Sequence, residues 1–196
     1  MKRTIAILTV STVVAAGSVA ALRLSSTIDV RSTVPTADLA ARIERGHYLV
    51  RTSGCHDCHT PWKLGPEGPE PDMELMLSGH PEGVVMPPAP EPVGGWLWHA
   101  AATNTAFAGP WGVSYTANLT PDELTGIGAW TEDIFVKAIR TGRHWGQSRP
   151  ILPPMPWQVY GQMTDDDLRS IFAYLRTVPP ISNQVPEPLI AEAAGP

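Results

Sequence analysis

Two thiols and an imidazole fall within five residues in "CHDCH", where Cys55 and Cys58 are the only cysteines of the 196-residue chain and His59 follows the second. Four kinds of chemistry suit such a cluster. A redox dithiol needs a strand feeding a helix N-terminus in a βαβ setting, and the residues before Cys55 read as helix. Structural zinc takes four protein ligands, commonly from two knuckles, and there is no second cysteine pair. A disulfide between cysteines three apart closes a small strained ring and makes a poor staple. Cys-x-x-Cys-His is also the signature of covalent haem attachment. Cysteines three apart on one helical turn can both reach one edge of the macrocycle as thioethers. The next residue, His59, can then present a neutral imidazole nitrogen to iron. One covalent haem c on Cys55 and Cys58, with His59 as an axial ligand, is the expectation. His56, between the attachment points, is expected to face solvent.

The second axial ligand decides between an open and a closed iron. A closed His/Met pair suits electron transfer. Met155, in "RPILPPMPW", is the favoured candidate, because prolines on both sides stiffen its backbone. Met86 in "VVMPPAP" is its competitor. Met163 reads as a helix staple, and Met73 and Met76 as loop packing. His144 in "TGRHWG" is the bis-histidine fallback. His47, His80 and His99 read as surface or packing residues.

These groups must be positioned by helices. Thr36 is expected to cap a helix over "ADLAARIERGHYLV", with Leu39, Ile43, Gly46 and Val50 on one face. "NLTPDEL" offers Thr120 as N-cap with Pro121 at the first helical position. "WTEDIFVKAIRTG" offers Thr131 as N-cap, a Trp130–Phe135 staple and a stop at Gly142. "MTDDDLRSIFAYLRTVPP" repeats the design. Thr164 caps, Asp167 stands at the box position, and Met163 staples to Leu168. Leu168, Ile171, Phe172 and Leu175 share a face, and Pro179 and Pro180 stop the helix. Residues 61–111 hold ten of the 21 prolines and read as a long irregular insertion. No stretch alternates cleanly with period 2, so the fold class expected is all-α.

Lys2 and Arg3 precede the apolar run from Thr4 to Leu22, which reads as a signal peptide or an uncleaved membrane anchor. Both place the body in the periplasm, soluble or tethered to the inner membrane. The domain reading is 1–22 signal or anchor, 23–35 linker, 36–182 domain and 183–196 tail. Net charge is −5 with no basic stripe, which excludes a nucleic-acid partner.

"ERGHYLVRTSGCHDCHTP" and "LRSIFAYLRTVPP" resemble the first helix with its haem motif and the closing helix of class I c-type cytochromes. The resemblance covers roughly 36–60 and 112–182. It implies a monohaem cytochrome c fold, with 61–111 inserted after the haem motif. It also implies that the first and last helices cross with a glycine against an aromatic, here Gly46 against Tyr174 or Phe172. Trp130, Arg140 and Asn118 become candidates near a haem propionate. "NLTPDELTGIGAWTEDIFVKAIRTGRH" and "LPPMPWQVYGQMTDDDLRSIFAYLRTVPPI" are similar to cytochrome subunits of membrane-bound alcohol, aldehyde and gluconate dehydrogenases. Such subunits usually carry several haem motifs, and this chain has one. The resemblance implies single-electron transfer between a dehydrogenase and the respiratory chain, with a dehydrogenase, an oxidase or a quinol-linked complex as partner. The alternatives are a haem peroxidase or gas sensor with a displaceable sixth ligand, and a subunit that docks a dehydrogenase through the insertion.

Overall fold

A computed structural model describes residues 36–90 and 94–191. The apolar run at 4–22 and the linker at 23–35 lie outside the described residues. Among the described residues, no helix is long and apolar enough to cross a membrane.

Helix α1 (Thr36–Thr52) leads through a short turn into α2 (Cys55–His59). Helix α3 spans Glu132–Thr141, α4 Trp157–Tyr160 and α5 Asp165–Leu175. The Thr131 hydroxyl accepts from Ile134 N at 3.2 Å, and Gly142 ends α3 with φ 63. The Thr164 hydroxyl accepts from Asp167 N at 3.1 Å. The Asp167 carboxylate reaches out to Arg45 on α1 at 3.0 Å.

Helices α1 and α5 pack along their length. A Cβ at Gly46 would overlap the Ser170 carbonyl oxygen and lie 2.8 Å from the Tyr174 Cβ. Only a residue without a side chain allows two helix backbones this near. Leu49, Val50, Phe135, Leu168, Ile171, Phe172 and Leu175 form the core between α1, α3 and α5. Leu39, placed by the periodicity on the same face as Gly46, is 41% exposed. Around the core's rim, Glu132 of α3 accepts from Arg42 of α1 and Arg169 of α5.

The all-α expectation is wrong: the chain mixes helices with two antiparallel sheets. Strands β1 (Trp62–Gly65) and β2 (Gly68–Pro71) make a hairpin directly after α2. A second sheet has the order β3-β4-β5-β6, from His99–Ala100, Ala106–Gly109, Gly112–Tyr115 and Leu189–Ile190. Each strand is two to four residues long, too short to display alternation. Pro69 and Pro71 sit on a two-stranded hairpin, where every strand is an edge and a missing N–H is tolerated.

No helix follows Thr120 either. The Asp122 carboxylate accepts from Leu124 N, Thr125 N and the Thr125 hydroxyl. That turn offers the backbone an alternative to a helix, and the chain folds back with Ile127 N donating to Thr120 O at 2.9 Å. The buried Thr120 hydroxyl instead donates to Asn118 Oδ1 at 2.7 Å and accepts from Ile181 N at 3.1 Å. Residues 181–184 lie across the insertion, where Asn183 Nδ2 donates to the Ser78 and His80 carbonyls.

Candidate haem-attachment site

Gly54 opens α2 with φ 71, a left-handed conformation that bends the chain sharply from α1. Cys55 and Cys58 then occupy one helical turn as free, half-buried thiols. Burial, with Asp57 and Cys58 nearby, pushes the Cys55 thiol up to about 11, and burial and Asp57 also raise Cys58. A redox dithiol requires the opposite, a thiol lowered towards neutrality.

His59 is buried, and its Nδ1 lies 2.8 Å from the Ala117 carbonyl oxygen. A carbonyl can only accept, so Nδ1 carries the proton. The lone pair is therefore on Nε2. A ligating histidine needs this arrangement: the far nitrogen held by a backbone acceptor, the near one free for the metal. Burial holds the imidazole below its usual pKa range and keeps it neutral. Two thiols on one turn, followed by an oriented neutral imidazole, fit the donor set of a haem c.

His56 does not face open solvent. It is half-buried, with Nδ1 3.1 Å from the Thr60 hydroxyl. Thr60, fully buried, in turn accepts from Leu77 N at 3.0 Å.

Met155 is half-buried in a loop pinned at several points. Ile151 N donates to Gly142 O at 2.8 Å, the Ser114 hydroxyl donates to Pro153 O at 2.6 Å, and Trp157 N donates to Met155 O at 2.9 Å. The Tyr160 hydroxyl donates to Ser53 O at 2.6 Å, two residues before Cys55. Burial raises the Tyr160 pKa, and both thiols add to the shift. The loop bearing Met155 is thus tied to the attachment turn.

The other methionines have different surroundings. Met73 is 56% exposed, Met76 and Met163 pack against the core, and Met86 is half-buried in the segment after His80. His144 lies edge-on to Trp130, with ring centroids 5.3 Å apart. His47 stacks on Tyr174, and His80 is fully buried. The three propionate candidates are engaged elsewhere. Asn118 bonds Thr125 and the Ile181 carbonyl, Arg140 bonds Asp165 and the Gly161 carbonyl, and Trp130 packs on His144 and Trp145. Ala117, Ser53 and Tyr160 were not found by sequence reasoning. Two of them act through carbonyl groups, which every residue has, so no residue type marks them.

No family model matches the chain. It is similar to the fructose dehydrogenase cytochrome subunit of Gluconobacter japonicus, at 28% identity over 85% of this chain and 28% of that protein. It is also similar to the cytochrome c subunit of the alcohol dehydrogenase (quinone) of Gluconobacter oxydans (strain 621H), at 30% identity over 77% of this chain and 24% of that protein. The gluconate 2-dehydrogenase cytochrome c subunit of Pantoea cypripedii matches at 28% identity over 76% of this chain and 27% of that protein. The chain spans about a quarter of the length of these curated relatives. These relatives are cytochrome subunits of dehydrogenases.

Proposed function

We propose that the chain is a monohaem cytochrome c that passes single electrons between a dehydrogenase and the respiratory chain on the periplasmic side. The observation that carries this reading is the His59 tautomer: both thiols share one turn, and the adjacent imidazole is buried, neutral and held through Nδ1. Similarity to cytochrome c subunits of dehydrogenases supports the same reading. Haem c would supply one-electron chemistry at iron, with the protein setting its potential through ligands and burial.

The chain's own residues have separate roles. Cys55 and Cys58 would hold the haem through thioethers. His59 would offer Nε2 to the iron. Ala117 orients that ring through its carbonyl. Met155 would be the second protein ligand, with its loop held by Ser114 and Tyr160 so that a soft sulfur could be offered without a large ordering cost. With both ligands drawn from the chain, no residue here is assigned a catalytic role. The partner is a dehydrogenase, an oxidase or a quinol-linked complex. Location on the periplasmic side, soluble or tethered, rests on the apolar run at 4–22.

The experiment is the reduced-minus-oxidised visible spectrum of the protein in alkaline pyridine. Thioether-linked haem is expected at one per chain, and Cys55→Ala with Cys58→Ala is expected to release it to acid extraction. Wild-type protein whose haem is extracted by acid would overturn the reading.

A further inference from the structure

The hydrogen bond from His59 Nδ1 to the Ala117 carbonyl joins residues 58 positions apart. Both of its ends are tied to one stretch, residues 77–80, buried within the segment that reads as an irregular insertion. On the imidazole side, Gly79 N donates to His59 O at 2.8 Å and Leu77 N donates to the Thr60 hydroxyl at 3.0 Å. On the carbonyl side, His80 N donates to Thr116 O at 3.0 Å and Leu77 O accepts from Leu119 N at 2.8 Å. The first two bonds fix His59 and its neighbour, and the last two flank Ala117.

The stretch makes these bonds by turning twice into the left-handed region, at Leu77 with φ 61 and at Gly79 with φ 79. Such a φ is uncommon for leucine and persists only where the surroundings hold it. At Gly79 the requirement is steric as well. A Cβ there would overlap the Thr116 carbonyl oxygen and lie 2.6 Å and 2.7 Å from the carbon and oxygen of the Ala117 carbonyl. The group it would displace is the acceptor for His59.

Asn183 holds the same stretch from its other side. It is buried, and its Nδ2 donates to Ser78 O at 2.7 Å and to His80 O at 2.9 Å, the carbonyls before and after Gly79. Its Oδ1 accepts from Glu82 N at 2.8 Å, and its own N donates to the Thr125 hydroxyl at 3.0 Å. A buried amide with both Nδ2 protons spent on one turn specifies the geometry of that turn.

A hydrogen bond at the far nitrogen of a ligating imidazole raises the basicity of the near one. Hydrogen bonding of this kind is a lever on the potential of a haem iron. A more basic imidazole favours the ferric state, so weakening the bond raises the potential.

We propose that Gly79 and Asn183 are positioning residues for His59: they fix the Ala117 carbonyl against the Nδ1 proton and so set how strongly Nε2 donates to the iron. The inference rests on the haem reading above and gives the insertion a role in tuning the site.

The test uses the full-length, haem-bearing wild type with Gly79→Ala and Asn183→Ala. Gly46→Ala, which strains the α1–α5 crossing instead, is the control. In the ferrous, diamagnetic protein the proton resonance of His59 Nδ1–H is expected to move upfield in Gly79→Ala and in Asn183→Ala, and the midpoint potential of each to rise. Gly46→Ala should lower Tm and leave both readings at their wild-type values. Asn183→Ala leaves Gly79 in place and carries the test if Gly79→Ala does not fold. Wild-type resonance and potential in either folded variant would overturn the assignment of that residue and leave the haem reading standing. Equal shifts in Gly46→Ala would mark a general loosening and overturn both assignments. A chain with no covalent haem would overturn the haem reading and this proposal together.

Discussion

At His59 a single hydrogen bond determines which nitrogen can meet a metal, because the Ala117 carbonyl claims the Nδ1 proton. The sequence shows that a histidine follows Cys58; it does not show which carbonyl will face it 58 positions later. The residue types of the candidate ligands can be read from the sequence; the orientation of the His59 ring cannot. For Met155 the expected outcome is spectroscopic. The oxidised holoprotein should show the weak far-red band of sulfur-to-iron ligation. Met155→Ala should abolish it, lower the potential and admit cyanide or carbon monoxide, while Met86→Ala should leave it intact. Loss of the band in Met86→Ala alone would move the sixth ligand into the insertion.

Helices were legible at their ends, because caps are local chemistry. Thr131, Gly142 and Thr164 perform the roles their types imply. Thr120 does not, since Asp122 two residues on captures the same backbone for a turn. The strands were illegible because two to four residues carry no period, and Gly68, Pro69 and Pro71 fill β2 except for Glu70. The α1–α5 crossing makes a sharp prediction. Gly46→Ala gains about 0.5–1 kcal/mol of helix propensity and loses about 1–3 kcal/mol to overpacking against Ser170. The net effect should be destabilising by up to about 2.5 kcal/mol, lowering Tm by about 2–4 °C per kcal/mol in a chain of this size. Unchanged Tm would mean the helices lie farther apart. Tyr160→Phe tests the tie between the Met155 loop and the attachment turn. It removes the bond to Ser53 O and should cost about 0.5–1.5 kcal/mol. Cyanide should enter faster, read by stopped-flow absorbance, and an unaltered entry rate would show that the tie does not restrain the loop.

Over the whole molecule, imidazoles whose pKa burial lowers contribute to the response to acid, and His80 is the fully buried one outside the candidate site. His80 is fully buried in the insertion, with Nε2–H donating to the Val84 carbonyl and Nδ1 accepting from the Thr105 hydroxyl, each at 2.9 Å. Burial lowers its pKa from the ordinary 6.5. The unfolded chain therefore binds the proton first. Stability from this group is complete above about pH 6.5 and is lost as pH falls from there through the folded value. The His80 ring resonance should titrate below 6.5, and urea midpoints should fall between pH 7 and 5. A ring titrating above 6.5 would contradict the burial.

The central claim is that this chain carries one haem on Cys55 and Cys58. The direct measurement is the mass of the denatured protein after export. The account predicts polypeptide plus one haem for wild type, and bare polypeptide for the variant with Cys55→Ala and Cys58→Ala. Wild-type protein at bare polypeptide mass would contradict it.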